Sequence, residues 1–106
     1  MVRMIDDLVN VQQIVENNKY VIIDFTASWC GPCRSIAPVY EKLSLQFTNV
    51  VFIKIDVDNQ NTKPLCEMCK VRSMPTFILI CNGEIINQFS GSSEDQLVKI
   101  LECTHN

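Results

Sequence analysis

The chain has 106 residues, six of them cysteine, with a formal net charge of −3 and a composition 47% hydrophobic and 20% charged. That length supports a single domain over 1–106, and the composition excludes intrinsic disorder. No apolar run approaches the ~18 residues of a membrane span, and no basic block suits a phosphate backbone, so neither membrane nor nucleic acid is an expected partner.

In chain order, Val2 to Ile5 reads as a short first strand. Asp6 or Asp7 caps a helix that places Leu8, Val11, Ile14 and Val15 on one face, and Asn17-Asn18 ends it. Tyr20 to Thr26 is an almost unbroken β-branched and aromatic run, a central strand covered on both sides. After Ser28-Trp29-Cys30-Gly31-Pro32-Cys33 comes an amphipathic helix with Ile36, Tyr40, Leu43 and Phe47 on its apolar face, Pro38 inside it and Asn49 closing it. Val50 to Asp56 is a second buried strand, interrupted only by Lys54. Pro64 suits the first turn of a short helix running to about Lys70. Thr76 to Cys81 is a third strong strand. Asn82-Gly83 predicts a two-residue type I′ hairpin, with Glu84 to Ser90 returning antiparallel. Gly91 breaks the strand, and Ser92 or Ser93 caps a last helix with Leu97, Ile100 and Leu101 inward. The order β-α-β-α-β-α-β-β-α predicts an α/β fold: one mixed sheet of about five strands between two layers formed by four helices.

The cysteines divide by position. Six in 106 residues falls below the ~8–10% of a disulfide scaffold. Met1-Val2-Arg3-Met4-Ile5-Asp6-Asp7 shows no basic region followed by an apolar stretch, so no signal or transit peptide is read. The expected location is cytoplasmic, with the nucleus also open. In a reducing compartment, closely spaced cysteines are catalytic or metal-binding more often than structural. Cys30-Gly31-Pro32-Cys33 stands between a central strand and the start of a helix. The unsatisfied N–H groups and partial positive charge of a helix N-terminus stabilise a thiolate, so Cys30 should titrate below the ~8.5 of an ordinary thiol. Two intervening residues put Cys33 within disulfide reach. Pro32 fixes the backbone at the helix start, and Gly31 leaves the approach to Cys30 uncrowded. A second pair, Cys66-Glu67-Met68-Cys69, raises the alternative of a four-cysteine zinc site. Residues 34–65 hold a complete helix and strand between the pairs, so the expectation is no metal.

Phe25-Thr26-Ala27-Ser28-Trp29-Cys30-Gly31-Pro32-Cys33, with Asp24 before it and Met74-Pro75-Thr76-Phe77 after it, resembles the thioredoxin family. The resemblance covers essentially the whole chain, including Asn82-Gly83 and Gly91, and it implies the thioredoxin fold, a three-layer α/β/α arrangement. It also implies roles. Cys30 is the exposed nucleophile and Cys33 the buried resolving thiol. Asp24 is the buried carboxylate that manages the proton of Cys33; the alternative is a carboxylate that merely ends a strand or pairs with a neighbour. Lys54 is either the partner of Asp24 or a solvated surface lysine. Pro75 is the cis-proline packed against the dithiol. Met74 offers backbone hydrogen bonds to an extended target, and Trp29, Gly31, Pro32, Met74, Pro75 and Gly91 form the apolar docking rim. Trp29 and Met74 as plain core residues would leave the small residues beside them unexplained.

Cys81 and Cys103 read as small apolar fillers. Cys66 and Cys69 are i, i+3 neighbours, and animal members of the family carry extra, sometimes regulatory, cysteines in this region, so a secondary redox switch is set against two inert thiols. The expected function is a monomeric protein-disulfide reductase acting on disulfide-containing proteins. It binds no cofactor itself and is re-reduced by thioredoxin reductase, which uses NADPH and FAD. The alternatives are a binding or structural subunit of this fold with incidental redox activity, and a metal-binding protein.

Overall fold

The computed structural model describes residues 1–105. The elements are β1 (Arg3–Met4), α1 (Leu8–Asn17), β2 (Tyr20–Thr26), α2 (Gly31–Gln46), β3 (Val50–Asp56), α3 (Lys63–Met68), β4 (Thr76–Cys81), β5 (Glu84–Ser90) and α4 (Glu94–Glu102). The sheet order is β1-β3-β2-β4-β5. β1 and β2 run parallel to β3, β4 is antiparallel to β2, and β5 is antiparallel to β4.

Alternation of side chains along each strand assigns the two faces. Tyr20 and Ile22 of β2, Val50 and Phe52 of β3, and Phe77 and Leu79 of β4 meet Ile36, Tyr40 and Leu43 of α2 and Leu97, Ile100 and Leu101 of α4. Val21, Ile23 and Phe25, with Ile53, Ile55, Ile78 and Ile80, meet Val11 of α1 and Cys66 and Cys69 at α3. The sheet is therefore the middle of three layers. Tyr40 locks the first face: its ring lies 5.0 Å from Phe52 and 5.5 Å from Phe77, and its hydroxyl reaches the carbonyls of Ile53 at 2.8 Å and Ile22 at 3.1 Å. Burying one such side chain stabilises the fold by roughly 1.5–3 kcal/mol, so α2 is held by its inner face rather than by helix propensity.

Helix ends follow local chemistry. Asp7 caps α1 by accepting from the N–H of Asn10, and Ser93 caps α4 by accepting from Gln96. α2 stops at Gln46, short of the expected Asn49, because Phe47 leaves helical backbone while its side chain joins the core. α3 stops at Met68 rather than Lys70. Lys70 takes a left-handed φ of 56°. Val71 N–H donates to Cys66 C=O at 3.0 Å and Lys70 N–H to Glu67 C=O at 3.1 Å, a Schellman cap with lysine where glycine is usual. Lys70→Gly is therefore expected to raise stability by about 0.5–1 kcal/mol, measured by chemical denaturation.

Asn82 and Gly83 both have positive φ, 51° and 83°, as a type I′ turn requires. Beyond the turn the β4–β5 register slips by one. Ile80 faces Ile85, but Leu79 faces Asn87, leaving Ile86 as the extra residue of a bulge.

The topology places four strand ends together. β2 and β3 are parallel and end at Thr26 and Asp56, which share a register position. β4 runs the other way, so its beginning, Thr76, lies beside Phe25 and faces Ser90 at the end of β5. The dithiol follows directly from this corner, as ligand sites in open α/β sheets do.

Candidate active site

Cys30 is the N-cap of α2. It has extended backbone, and its Sγ accepts from the N–H of Cys33 at 3.2 Å. The two cysteines form a disulfide with their Cα atoms 5.3 Å apart. Pro32 occupies the first turn, where its missing N–H costs no intrahelical bond. A Cβ added at Gly31 would meet nothing within 4 Å. The fold therefore places no demand on glycine there, and the bare Cα keeps open the space in front of the disulfide.

The expectation of an exposed Cys30 beside a buried Cys33 is corrected: in the disulfide the two are 5% and 3% exposed. Cys30 is covered from the opposite loop, its Sγ 3.5 Å from the carbonyl of Met74. What separates the two thiols is position, one at the helix cap and one on the inward face of its first turn.

The Met74–Pro75 peptide bond is cis. Gly91, at φ 115°, donates its N–H to the carbonyl of Pro75 at 2.8 Å. Only glycine adopts that backbone without strain. Among the described residues the N–H of Met74 has no hydrogen-bond partner, and Met74 is only partly buried. Trp29 is 62% exposed, so it is not a core residue. Its indole N–H donates to Asp58 at 2.8 Å, and Asp58 is itself held by an N–H bond to the Asp56 carboxylate.

Asp24 lies in line with Tyr20 and Ile22, on the face covered by α2, and is fully buried. Neither carboxylate oxygen has a hydrogen-bond partner. Burial pushes its pKa up from 3.8 to about 7, with the charge of Lys54 pulling the other way. Asp24 and Lys54 share a register position on adjacent strands. Lys54 thus acts on Asp24 through its field, not through a contact. An open pocket of about 290 Å³ beside the first turns of α2 is lined by Cys33, Arg34, Lys54 and Asp56.

The remaining cysteines are free thiols. Cys66 and Cys69 are buried among Phe25, Ile23 and Val11. Desolvation pushes both thiols up, and the neighbouring Cys66 adds to the rise at Cys69. Cys81 packs against the α2/α4 core. Cys103 does not fill the core as expected. It is the exposed C-cap of α4, because the inward face of that helix is already taken by Leu97, Ile100 and Leu101. Among the described residues, no group of three or more His, Cys, Asp or Glu is placed to hold a metal.

Asp58, Arg34, Thr76 and Ser90 join the site with no signal in the sequence. Arg34 Nη1 donates to the carbonyl of Ser28 at 2.9 Å, bracing the loop before Cys30. Thr76 and Ser90 bond to each other beneath the cis-proline. None carries a local motif; Asp58, Thr76 and Ser90 matter through partners distant in the chain, and Arg34 through the loop six residues before it.

A family model described as Thioredoxin matches residues 5–103. Thioredoxin-3 of Dictyostelium discoideum is 43% identical over 101 residues, covering 91% of this chain and 95% of that protein. The thioredoxin of Oryctolagus cuniculus is 39% identical over 99 residues, covering 92% of each. Among solved structures, a thioredoxin of Plasmodium falciparum superposes with a TM-score of 0.91 at 36% identity, covering 97% of this chain and 99% of that one.

Proposed function

The chain belongs to the thioredoxin family and is a thiol–disulfide oxidoreductase acting through Cys30 and Cys33; on that premise we propose how its residues divide the work. Cys30 is the nucleophile. Its thiolate attacks one sulfur of a target disulfide, the other target sulfur leaves as a thiolate, and a mixed disulfide on Cys30 results. Cys33 then loses its proton and attacks Cys30 Sγ. The Cys30–Cys33 disulfide forms, the target leaves fully reduced, and two electrons have passed to it.

The observation that carries this assignment is the capping geometry: Cys30 Sγ accepts from the Cys33 N–H at the positive end of α2. A thiolate formed there gains a charge-assisted hydrogen bond and the helix dipole, and Cys33 has no equivalent cap. Asp24, with a pKa of about 7, is poised to take the proton of Cys33 near neutral pH. Lys54 tunes that carboxyl by its charge. Trp29, Gly31, Pro32, Met74, Pro75 and Gly91 form the docking rim, and the free N–H and carbonyl of Met74 pair with an extended target segment. The test is a Cys33→Ser variant, which should hold targets as stable mixed disulfides on Cys30.

The substrates are disulfide-containing proteins. The proposal extends to re-reduction by a flavin reductase of the thioredoxin reductase type that draws on NADPH, to action as a monomer, and to a cytoplasmic or nuclear location.

For Cys66 and Cys69, a regulatory role that opens only under excess oxidant stands against two inert thiols. Their burial and raised pKa values make them slow. Native-state alkylation of either is expected to run roughly two orders of magnitude slower than that of exposed Cys103. In a redox titration read by differential labelling, Cys30–Cys33 oxidises first. If Cys66 and Cys69 stay reduced with oxidant in excess, the regulatory role fails.

A further inference from the structure

We propose that Thr76 and Ser90 are positioning residues for the target-binding loop, joined by a hydroxyl relay that sets where the backbone of Met74 lies. Thr76 Oγ1 is 2.6 Å from the carbonyl of Ser73 and 2.8 Å from Ser90 Oγ. A carbonyl only accepts, so the single proton of Thr76 goes to Ser73. Ser90 must then donate to Thr76. The relay runs Ser90 to Thr76 to Ser73 and draws the segment before the cis bond down onto the end of β4.

The loop is thus fixed at two points. The hydroxyl relay holds Ser73, and the Gly91 N–H holds the carbonyl of Pro75. Met74 lies between them. Its carbonyl is aimed at Cys30 Sγ, and its N–H is left free. Thr76 is 1% exposed, and its hydroxyl points neither to solvent nor at the disulfide. A valine would fill the same volume, so packing alone does not call for threonine.

The bulge in β5 is part of the device. The Cys81–Glu84 pair, continued without a slip, would set Thr76 opposite Phe89. The extra residue at Ile86 brings Ser90 there instead. The hydroxyl that completes the relay reaches its place by a one-residue shift made several residues away.

This inference rests on the reading that Met74 presents its backbone to the target. A loop held in place binds an extended segment without first paying to order itself, so loss of the relay should weaken protein targets and spare small ones. The experiment compares Thr76→Val, Ser90→Ala and Thr76→Ser with the unmodified chain. Each is assayed on insulin, whose disulfides must be docked, and on 5,5′-dithiobis(2-nitrobenzoate), which needs no backbone pairing. Thr76→Val should raise KM for insulin about tenfold, the value of roughly one hydrogen bond, with kcat and the small-disulfide rate within about twofold. Ser90→Ala should shift KM in the same direction, and Thr76→Ser should restore it. A parallel fall on both substrates, or an unchanged insulin KM, overturns the proposal. Ser90 is exposed, so Ser90→Ala carries the test if Thr76→Val does not fold. The small disulfide reads the dithiol chemistry without the loop, so a failure of that chemistry shows there, and a failure of the relay shows on insulin alone.

Discussion

Between pH 4 and pH 8, Asp24→Ala should gain about 4 kcal/mol of stability relative to the unmodified oxidised protein. The carboxyl is fully buried without a hydrogen bond, and its pKa stands at about 7 against 3.8 for the ordinary group. Below pH 3.8 both folded and unfolded chains hold the proton, and no ionisation penalty exists. Between 3.8 and 7 the unfolded chain has released it and the native chain has not, so stability falls as pH rises. Above 7 both are ionised, and the cost is constant. At about 1.4 kcal/mol for each pH unit between the two pKa values, the full loss is about 4 kcal/mol. The void left by alanine subtracts from the gain equally at both pH values. Guanidinium midpoints from pH 4 to 8 measure the gap. A gap that does not widen with pH would show that Asp24 is not the group responsible. The same substitution should slow release of the mixed disulfide near neutral pH, since the proposed proton acceptor for Cys33 is gone. Stability and turnover then move in opposite directions, as expected of a costly group retained for its chemistry.

The second large effect is expected at the dithiol. Cys33→Ser should lower turnover of protein disulfides by roughly three orders of magnitude, a barrier increase of about 4 kcal/mol. The first attack should persist. A serine hydroxyl cannot displace the target sulfur from Cys30, so covalent complexes should accumulate on non-reducing gels and dissolve with added thiol. Cys30→Ser should give the same loss of turnover without the complexes. The assignment of roles fails if complexes form on Cys33 in the Cys30→Ser variant, because the helix cap would then not select the attacking thiol. A binding or structural subunit with incidental redox chemistry predicts instead that Cys33→Ser keeps full biological function.

Much of this was legible from residue order. The bounds of β2, β3, β4 and β5 follow from β-branched runs ended by strong turn signals, and the Asn82-Gly83 turn adopts the positive φ values its residues favour. Trp-Cys-Gly-Pro-Cys between strand and helix indicated the chemistry. What could not be read was set by tertiary context. Phe47 has a helix-period position yet ends α2, because the core takes its ring. Cys103 has apolar character yet faces solvent, because its helix has no inward position left for it. Lys54 could be placed opposite Asp24, but only the structure shows the carboxyl without a hydrogen bond. The β5 bulge has no turn residue to announce it, so no count from the hairpin places Ser90 against Thr76.

The convergence of four strand ends at one corner has a consequence for cooperativity. Cys30 and Cys33 are neighbours along the chain, but the carbonyl facing Cys30 comes from a residue 44 positions away. The glycine that anchors that loop comes from beyond β5. The dithiol can form in an isolated hairpin-sized fragment; its surroundings cannot. Closing those loops costs entropy that only the assembled sheet returns. Selective exchange with protein targets is therefore a property of the whole folded unit, and a chain that has lost any one of the four ends keeps its thiols but loses the site.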